Sequence, residues 1–232
     1  MKKLLLLMLL LPSVALGASA GYRLDSSPHD LRDLTSLQAG ARTYVNYCLG
    51  CHAIQYMRYQ SLTEIGLTEG QIKEHLLFSG EKIGEPMKAV FDPKEAKTWF
   101  GVAPPDLSVV ARSRGADWLY TYLRTFYRDP KTVTGWNNAV YPNVAMPHAL
   151  WTLQGERGWD AKEQRLTEIS KGALSPTDYD ATVRDLVNFL VYVSEPAALN
   201  RKTIGILVLF VLVLVLVPLT YWLKKEFWKD VK

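Results

Sequence analysis

The stretch "YVNYCLGCHAIQYM", Tyr44 to Met57, decides the reading of this chain. It holds both cysteines of the whole sequence, Cys48 and Cys51, and His52 follows directly. Four chemistries compete for such a pair. A disulfide across two intervening residues closes a tight, reducible ring. A thioredoxin-type redox pair belongs in a βαβ setting. The residues before Cys48 read instead as a helix, with Leu37, Ala41, Tyr44, Val45 and Cys48 three and four apart. Structural zinc needs four ligands, and the other histidines, His29, His75 and His148, are scattered. The fourth chemistry is covalent haem. C-x-x-C-H is its attachment signature: two thiols add to two vinyl groups, and the adjacent histidine ligates the iron.

Working outward, both ends of the chain bear on that choice. "MKKLLLLMLLLPSVALGASA" has a basic start, an apolar run and an A-x-A ending at Ala20, the three-part form of a signal peptide over residues 1–20. It would carry the body of the chain out of the cytoplasm, where haem of this type is attached in bacteria. "IGILVLFVLVLVLVPLTYWL", residues 204–223, is uncharged over a length of about 30 Å, the hydrocarbon thickness of a bilayer. Tyr221, Trp222 and Trp228 fall where an aromatic belt would lie, and Pro218 predicts a tolerated kink. Residues 21–203 are then a periplasmic c-type haem domain, and 224–232 a lysine-rich cytoplasmic tail. The expected location is the bacterial inner membrane, crossed once.

The net charge of +4 is carried by the ends. Without the leader's two lysines and the tail's four lysines, Glu226 and Asp230, 21 basic and 21 acidic residues remain. In a near-neutral domain nothing suggests nucleic acid, and no nucleic-acid partner is expected.

Within the domain, "SPTDYDATVRDLVNFLVYVSEP" predicts a long helix. Ser175 caps it, Pro176 occupies the first turn, Asp178 stands at the capping-box position, and Glu195-Pro196 stops it. A shorter helix is expected from Gly115 to Tyr127. The stretches 80–107 and 128–151 are rich in Gly, Pro and aromatics and show no clean period, so they read as long loops wrapped around the haem. The expected fold is mainly α: a cytochrome c-like haem domain with long loops, plus one C-terminal transmembrane helix.

A haem with one histidine needs a second axial ligand or an open position. Of three exported methionines, Met57 is too near His52 to reach the opposite face. Met146, in the proline-bounded "YPNVAMPHAL", is favoured over Met87, because a rigid loop can hold its sulfur at the iron and Met/His ligation raises the potential. His148 is the minority alternative. As a plain reading, His148, His29 and His75 are ordinary surface or loop histidines.

These segments resemble the cytochrome c1 family, the membrane-anchored haem subunits of bc1 complexes. The similarity runs in order through "CLGCH", "APPDLSVVARSRGADWLYTYL", "VAMP" and "VNFLVYVSEPAALNRKTIG". It implies one haem c held covalently by Cys48 and Cys51, with His52 and Met146 as axial ligands. It further implies that Pro104 and Pro105 pack on the haem face and that Arg114 pairs with a propionate. A buried propionate does want an arginine fork, with Arg112 as the nearest rival. Where some relatives place a tyrosine near a propionate, this chain has Trp118. The extra cysteine pair of larger relatives is missing from the sequence.

The resemblance implies a one-electron relay from a Rieske iron–sulfur subunit to cytochrome c, with cytochrome b as a further partner and no substrate chemistry in this chain. The rival class is a stand-alone membrane-tethered shuttle, or the haem subunit of another oxidase or reductase. Glu64, Glu69, Glu74, Glu81 and Glu85 could steer a basic cytochrome c, or form an ordinary solvated face with Lys73 and Lys82.

Overall fold

The structure, a computed structural model, describes residues 22–230. The expected signal peptide lies outside the described residues.

In chain order the elements are α1 (Leu34–Tyr47), β1 (Ile54–Arg58), a 3-10 turn (Tyr59–Ile65), α2 (Glu69–His75), β2 (Pro86–Met87), α3 (Pro93–Phe100), α4 (Val110–Arg114) and α5 (Ala116–Arg124). They continue with β3 (Phe126–Arg128), β4 (Trp136–Asn138), α6 (Trp151–Gln154), β5 (Gly155–Asp160), β6 (Arg165–Lys171) and α7 (Pro176–Ser194). Last comes one continuous helical rod, α8 (Ala198–Val211), a π segment (Leu212–Leu216) and α9 (Val217–Phe227). The fold is mainly α. The strands form three separate antiparallel pairs, β1–β2, β3–β4 and β5–β6.

The centre of the domain is the crossing of α1 with α7. Leu37, Ala41 and Tyr44 from α1 meet Val183, Leu186 and Phe189 from α7, all of them buried. Gly40 permits the close approach: a Cβ there would stand 2.0 Å from the Asp185 carbonyl oxygen and 2.7 Å from the Phe189 Cβ. Two side-chain hydrogen bonds brace the crossing. Ser36 Oγ donates to Asp185 Oδ1 at 2.7 Å, and Asn188 Nδ2 donates to the Asp30 carbonyl at 2.8 Å. Gly40→Ala is therefore expected to overpack this contact and cost about 1–3 kcal/mol, read as a lower thermal midpoint of the purified protein.

α5 is held against α7 by Arg124. Its guanidinium reaches both Asp180 carboxylate oxygens, at 2.7 and 2.8 Å, and Asp25 at 2.6 Å. That fork also fixes the N-terminal segment on the domain. Side chains on both elements are needed, so no local pattern announced it.

Several sequence expectations change here. α5 ends at Arg124 rather than continuing to Tyr127, because the chain turns into β3. Asn138 Nδ2 takes the Tyr122 carbonyl at 2.7 Å and Thr125 Oγ1 takes the Thr121 carbonyl at 2.8 Å, which satisfies the groups that another turn would have used. The loop 80–107 contains α3, capped by the Asp92 side chain on the Lys94 amide at 2.7 Å with Pro93 in the first turn. Eight residues are too few to show a period. At the start of α7, Ser175 caps the Asp178 amide as expected, but Asp178 takes the Ser175 hydroxyl at 2.6 Å instead of its backbone N–H. The aspartate is one methylene shorter than the glutamate such a box uses.

The C-terminal rod of 30 residues, Ala198 to Phe227, is the one helix among the described residues long and apolar enough to cross a membrane. It starts ahead of the uncharged run and extends past it, about 45 Å in all. At Pro218 there is a register change rather than a simple kink. Proline lacks the N–H and its ring crowds the carbonyl four residues back, and the π segment just before it absorbs the mismatch. The rod is tied to the domain at its first turn. Glu195 pairs with Arg201 at 2.5 Å and with Arg112 at 3.7 Å, and the Ala111 amide donates to Ser194 Oγ at 3.2 Å.

Candidate haem site

The motif sits where α1 stops. Cys48 caps the helix, its amide bonding the Tyr44 carbonyl at 2.8 Å. The chain then folds on itself: the amides of Cys51 and His52 both reach the Cys48 carbonyl, at 3.0 and 2.8 Å. Two residues between the cysteines therefore make one turn with His52 at its end. The turn is braced from behind, since the Phe91 amide donates to the Gly50 carbonyl at 3.0 Å and the buried Tyr44 hydroxyl donates to the His52 carbonyl at 2.5 Å.

The His52 ring is oriented by a group from another part of the chain. Its Nδ1 lies 2.7 Å from the Pro105 carbonyl oxygen. A carbonyl can only accept, so Nδ1 carries the proton and Nε2 keeps its lone pair. Burial lowers the imidazole pKa, which holds the ring neutral, the form that ligates a metal. The segment after Pro105 is stitched to the motif. The Leu107 amide bonds the Ala53 carbonyl at 2.8 Å, Asp106 Oδ2 accepts from the Gln55 amide at 3.0 Å, and Ser108 Oγ accepts from the Tyr56 amide at 3.1 Å.

Met146 is carried to the cleft on a loop organised by Asn137 and Asn138. Asn138 Oδ1 accepts from the amides of Val140 and Tyr141 at 2.9 and 3.1 Å. Asn137 Oδ1 accepts from the Asn143 amide at 2.8 Å, and Asn143 itself adopts φ 60°. The Met146 sulfur is 3.4 Å from the Tyr122 hydroxyl.

One cleft collects these parts. Cys48, Cys51, His52, Pro104, Pro105 and Met146 all line it, and the remaining lining is apolar or aromatic. The donor set and the uncharged walls fit a flat macrocycle that carries iron. Both thiols are free. Burial pushes Cys48 up to about 12 and raises Cys51 as well, the opposite of the lowered pKa that marks a redox-active or metal-binding thiol. Among the described residues there is no group of three or more His, Cys, Asp or Glu side chains that could hold a metal ion.

The other candidates fall outside the cleft. Met87 is 0 % exposed and pairs with Ile54 across β1–β2, and Met57 is core as well. His148, read as a surface or loop histidine, is instead 2 % exposed. It bonds Gln154 Oε1 at 2.7 Å and stacks on Phe126 at 4.8 Å, and burial lowers its pKa to about 4. Arg114 does not line the cleft. It is exposed, with its guanidinium over the rings of Trp118 and Tyr141 at 5.1 and 5.8 Å and no carboxylate partner among the described residues. Arg112 is committed to Glu195. Of the acidic set, Glu64 accepts from the Tyr192 hydroxyl, Glu85 from the amides of Glu81 and Lys82, and Glu69 faces Lys73 at 3.9 Å. These three are occupied locally.

Sequence reasoning missed the Pro105 carbonyl, Asp106, Ser108, Asn137, Asn138 and Tyr122. The "WNN" pair was the available signal, since adjacent asparagines commonly organise turns.

A mainly α domain with this cleft and one apolar C-terminal rod is consistent with a membrane-anchored c-type cytochrome. The chain belongs to the Cytochrome C1 family, whose family model matches residues 26–231. It is 43% identical to cytochrome c1 of Allochromatium vinosum, over 100% of both chains. It is 48% identical to a Nitrosomonas europaea protein named ammonia monooxygenase gamma subunit, over 99% of this chain and 98% of that one. It is 26% identical to cytochrome b/c1 of Bradyrhizobium diazoefficiens over 88% of this chain, matching 34% of that longer protein. Membership implies a c-type haem, electron transport and the setting of a bc1-type complex.

Proposed function

We propose that this chain binds one haem c covalently through Cys48 and Cys51, with His52 and Met146 as axial ligands. Each thiol S–H would add across one vinyl C=C, forming one C–S bond and placing the hydrogen on the neighbouring carbon, with no net redox change. The haem supplies a one-electron couple. The chain's own residues do the rest. The Pro105 carbonyl orients His52, Pro104 and Pro105 form one wall, and the asparagine-organised loop presents Met146. Arg114, whose guanidinium lies over Trp118, would pair with a propionate.

The chain is the relay that takes an electron from a Rieske iron–sulfur subunit and passes it to cytochrome c, beside cytochrome b. No general acid or base is required, and no substrate bond is made. The haem domain, residues 21–203, faces the periplasm after removal of residues 1–20. Residues 204–223 anchor it in the inner membrane, and the lysine-rich tail stays in the cytoplasm. The observation that carries this reading is the convergence of the end of α1 and a loop about ninety residues downstream on one cleft.

Gentle detergent solubilisation tests the assignment. The chain is expected to copurify with b-type haem, an iron–sulfur subunit and quinol–cytochrome c reductase activity. Recovery as a lone c-type cytochrome would make it a tethered shuttle. The name of the Nitrosomonas europaea relative favours a second reading, the haem subunit of another oxidase. Copurification with a monooxygenase activity and no b-type haem would establish that reading instead.

A further inference from the structure

Tyr122 belongs to α5, yet it bears on the loop that carries Met146. Its hydroxyl stands 3.4 Å from the Met146 sulfur. The ring is fixed on both sides. Trp118 stacks on it at 4.6 Å with the planes 12° apart, and Phe126 meets it edge-on at 5.0 Å. Arg114 covers Trp118 in turn.

The backbone at Tyr122 is fixed too, and from the same point as the loop. Asn138 Nδ2 donates to the Tyr122 carbonyl, while Asn138 Oδ1 holds the amides of Val140 and Tyr141 at the loop's start. One buried carboxamide therefore sets the distance between the tyrosine and the methionine loop.

We propose that Tyr122 is a positioning residue: its hydroxyl donates to the Met146 thioether, selects the sulfur lone pair that faces the cleft and raises the potential of the bound haem. The proposal rests on Met146 as axial ligand. A thioether has two lone pairs. With one engaged by Tyr122, the other is left for the iron, and the sulfur gives less electron density to it. The ferric state depends more on that donation than the ferrous state, so reduction becomes more favourable. An electron is gained at the iron, and Tyr122 neither gives nor takes a proton. Nothing in the local sequence of α5 points to this role, because the partner lies 24 residues away.

The test is a redox titration of the full chain in its solubilised membrane complex, with the near-infrared sulfur-to-iron band recorded in parallel. Tyr122→Phe keeps the ring and its stacking. It is expected to retain the band and to lower the reduction equilibrium constant about threefold to tenfold, the worth of one hydrogen bond, or about 30–60 mV for one electron. A change below twofold, or loss of the band, overturns the proposal. 3-Fluorotyrosine placed at position 122 strengthens the donor without altering the fold, so the potential should rise, and an unchanged or lower potential overturns the proposal as well. Absence of the band from the wild-type chain would overturn Met146 ligation itself, a failure distinct from that of the tyrosine.

Discussion

Replacing Cys48 and Cys51 together with alanine is expected to abolish covalent haem. On a denaturing gel stained for haem peroxidase, the wild-type chain should give a band and the double variant none. The geometry explains why the loss should be complete. The pair stands on one turn at the end of α1, with the Cys51 and His52 amides drawn to the Cys48 carbonyl, and the chain has no other cysteine to substitute. Met57 and Met87 are thioethers in the core and have no S–H to add. Single variants retain one thioether and should stain more weakly. Any haem left in the double variant would be held by axial ligation alone, and denaturation would release it. A stained band from the double variant would end the thioether reading.

Changing Met146 to leucine is the second large effect. The haem should remain on the gel, because its covalent bonds are elsewhere. The near-infrared sulfur-to-iron band should vanish, and the midpoint potential should fall by on the order of 0.1–0.3 V, part of the roughly 0.8 V range that axial ligands command. Leucine matches methionine in volume, so packing of the loop costs little. The parallel Met87→Leu variant should keep band and potential, since Met87 lies on β2 against Ile54. Loss of the band in the Met87 variant together with its retention in the Met146 variant would reverse the ligand choice.

Some elements were legible before the structure. α7 carries its own boundaries, with Ser175 and Pro176 at one end and Glu195-Pro196 at the other, and its apolar face repeats for five turns. α1 and the C-terminal rod have patterns of similar length. α3 and the β5–β6 hairpin were not legible. α3 is too short to show a period, and the outer strand of the hairpin is mostly exposed, so no alternation of apolar and polar residues marks it. Six of the seven site residues that the sequence put forward line the cleft; Arg114 does not. Its place over Trp118 depends on how α4 turns into α5 at Gly115, where φ is 91°.

What the sequence determined by itself was chemistry carried by neighbours along the chain. Two thiols and an imidazole within five residues match the haem-attachment signature, and twenty uncharged residues match the length of a bilayer span. Family membership rests on similarity along residues 26–231. The tertiary structure alone decided everything that depends on a backbone atom or a distant side chain. The Pro105 carbonyl sets the His52 tautomer across 53 residues, Asn138 holds the methionine loop to α5, and burial removes Met87 from the candidates. A carbonyl oxygen is the same in every residue type, so the sequence cannot mark which one will accept a proton. Only folding brings the two atoms to 2.7 Å.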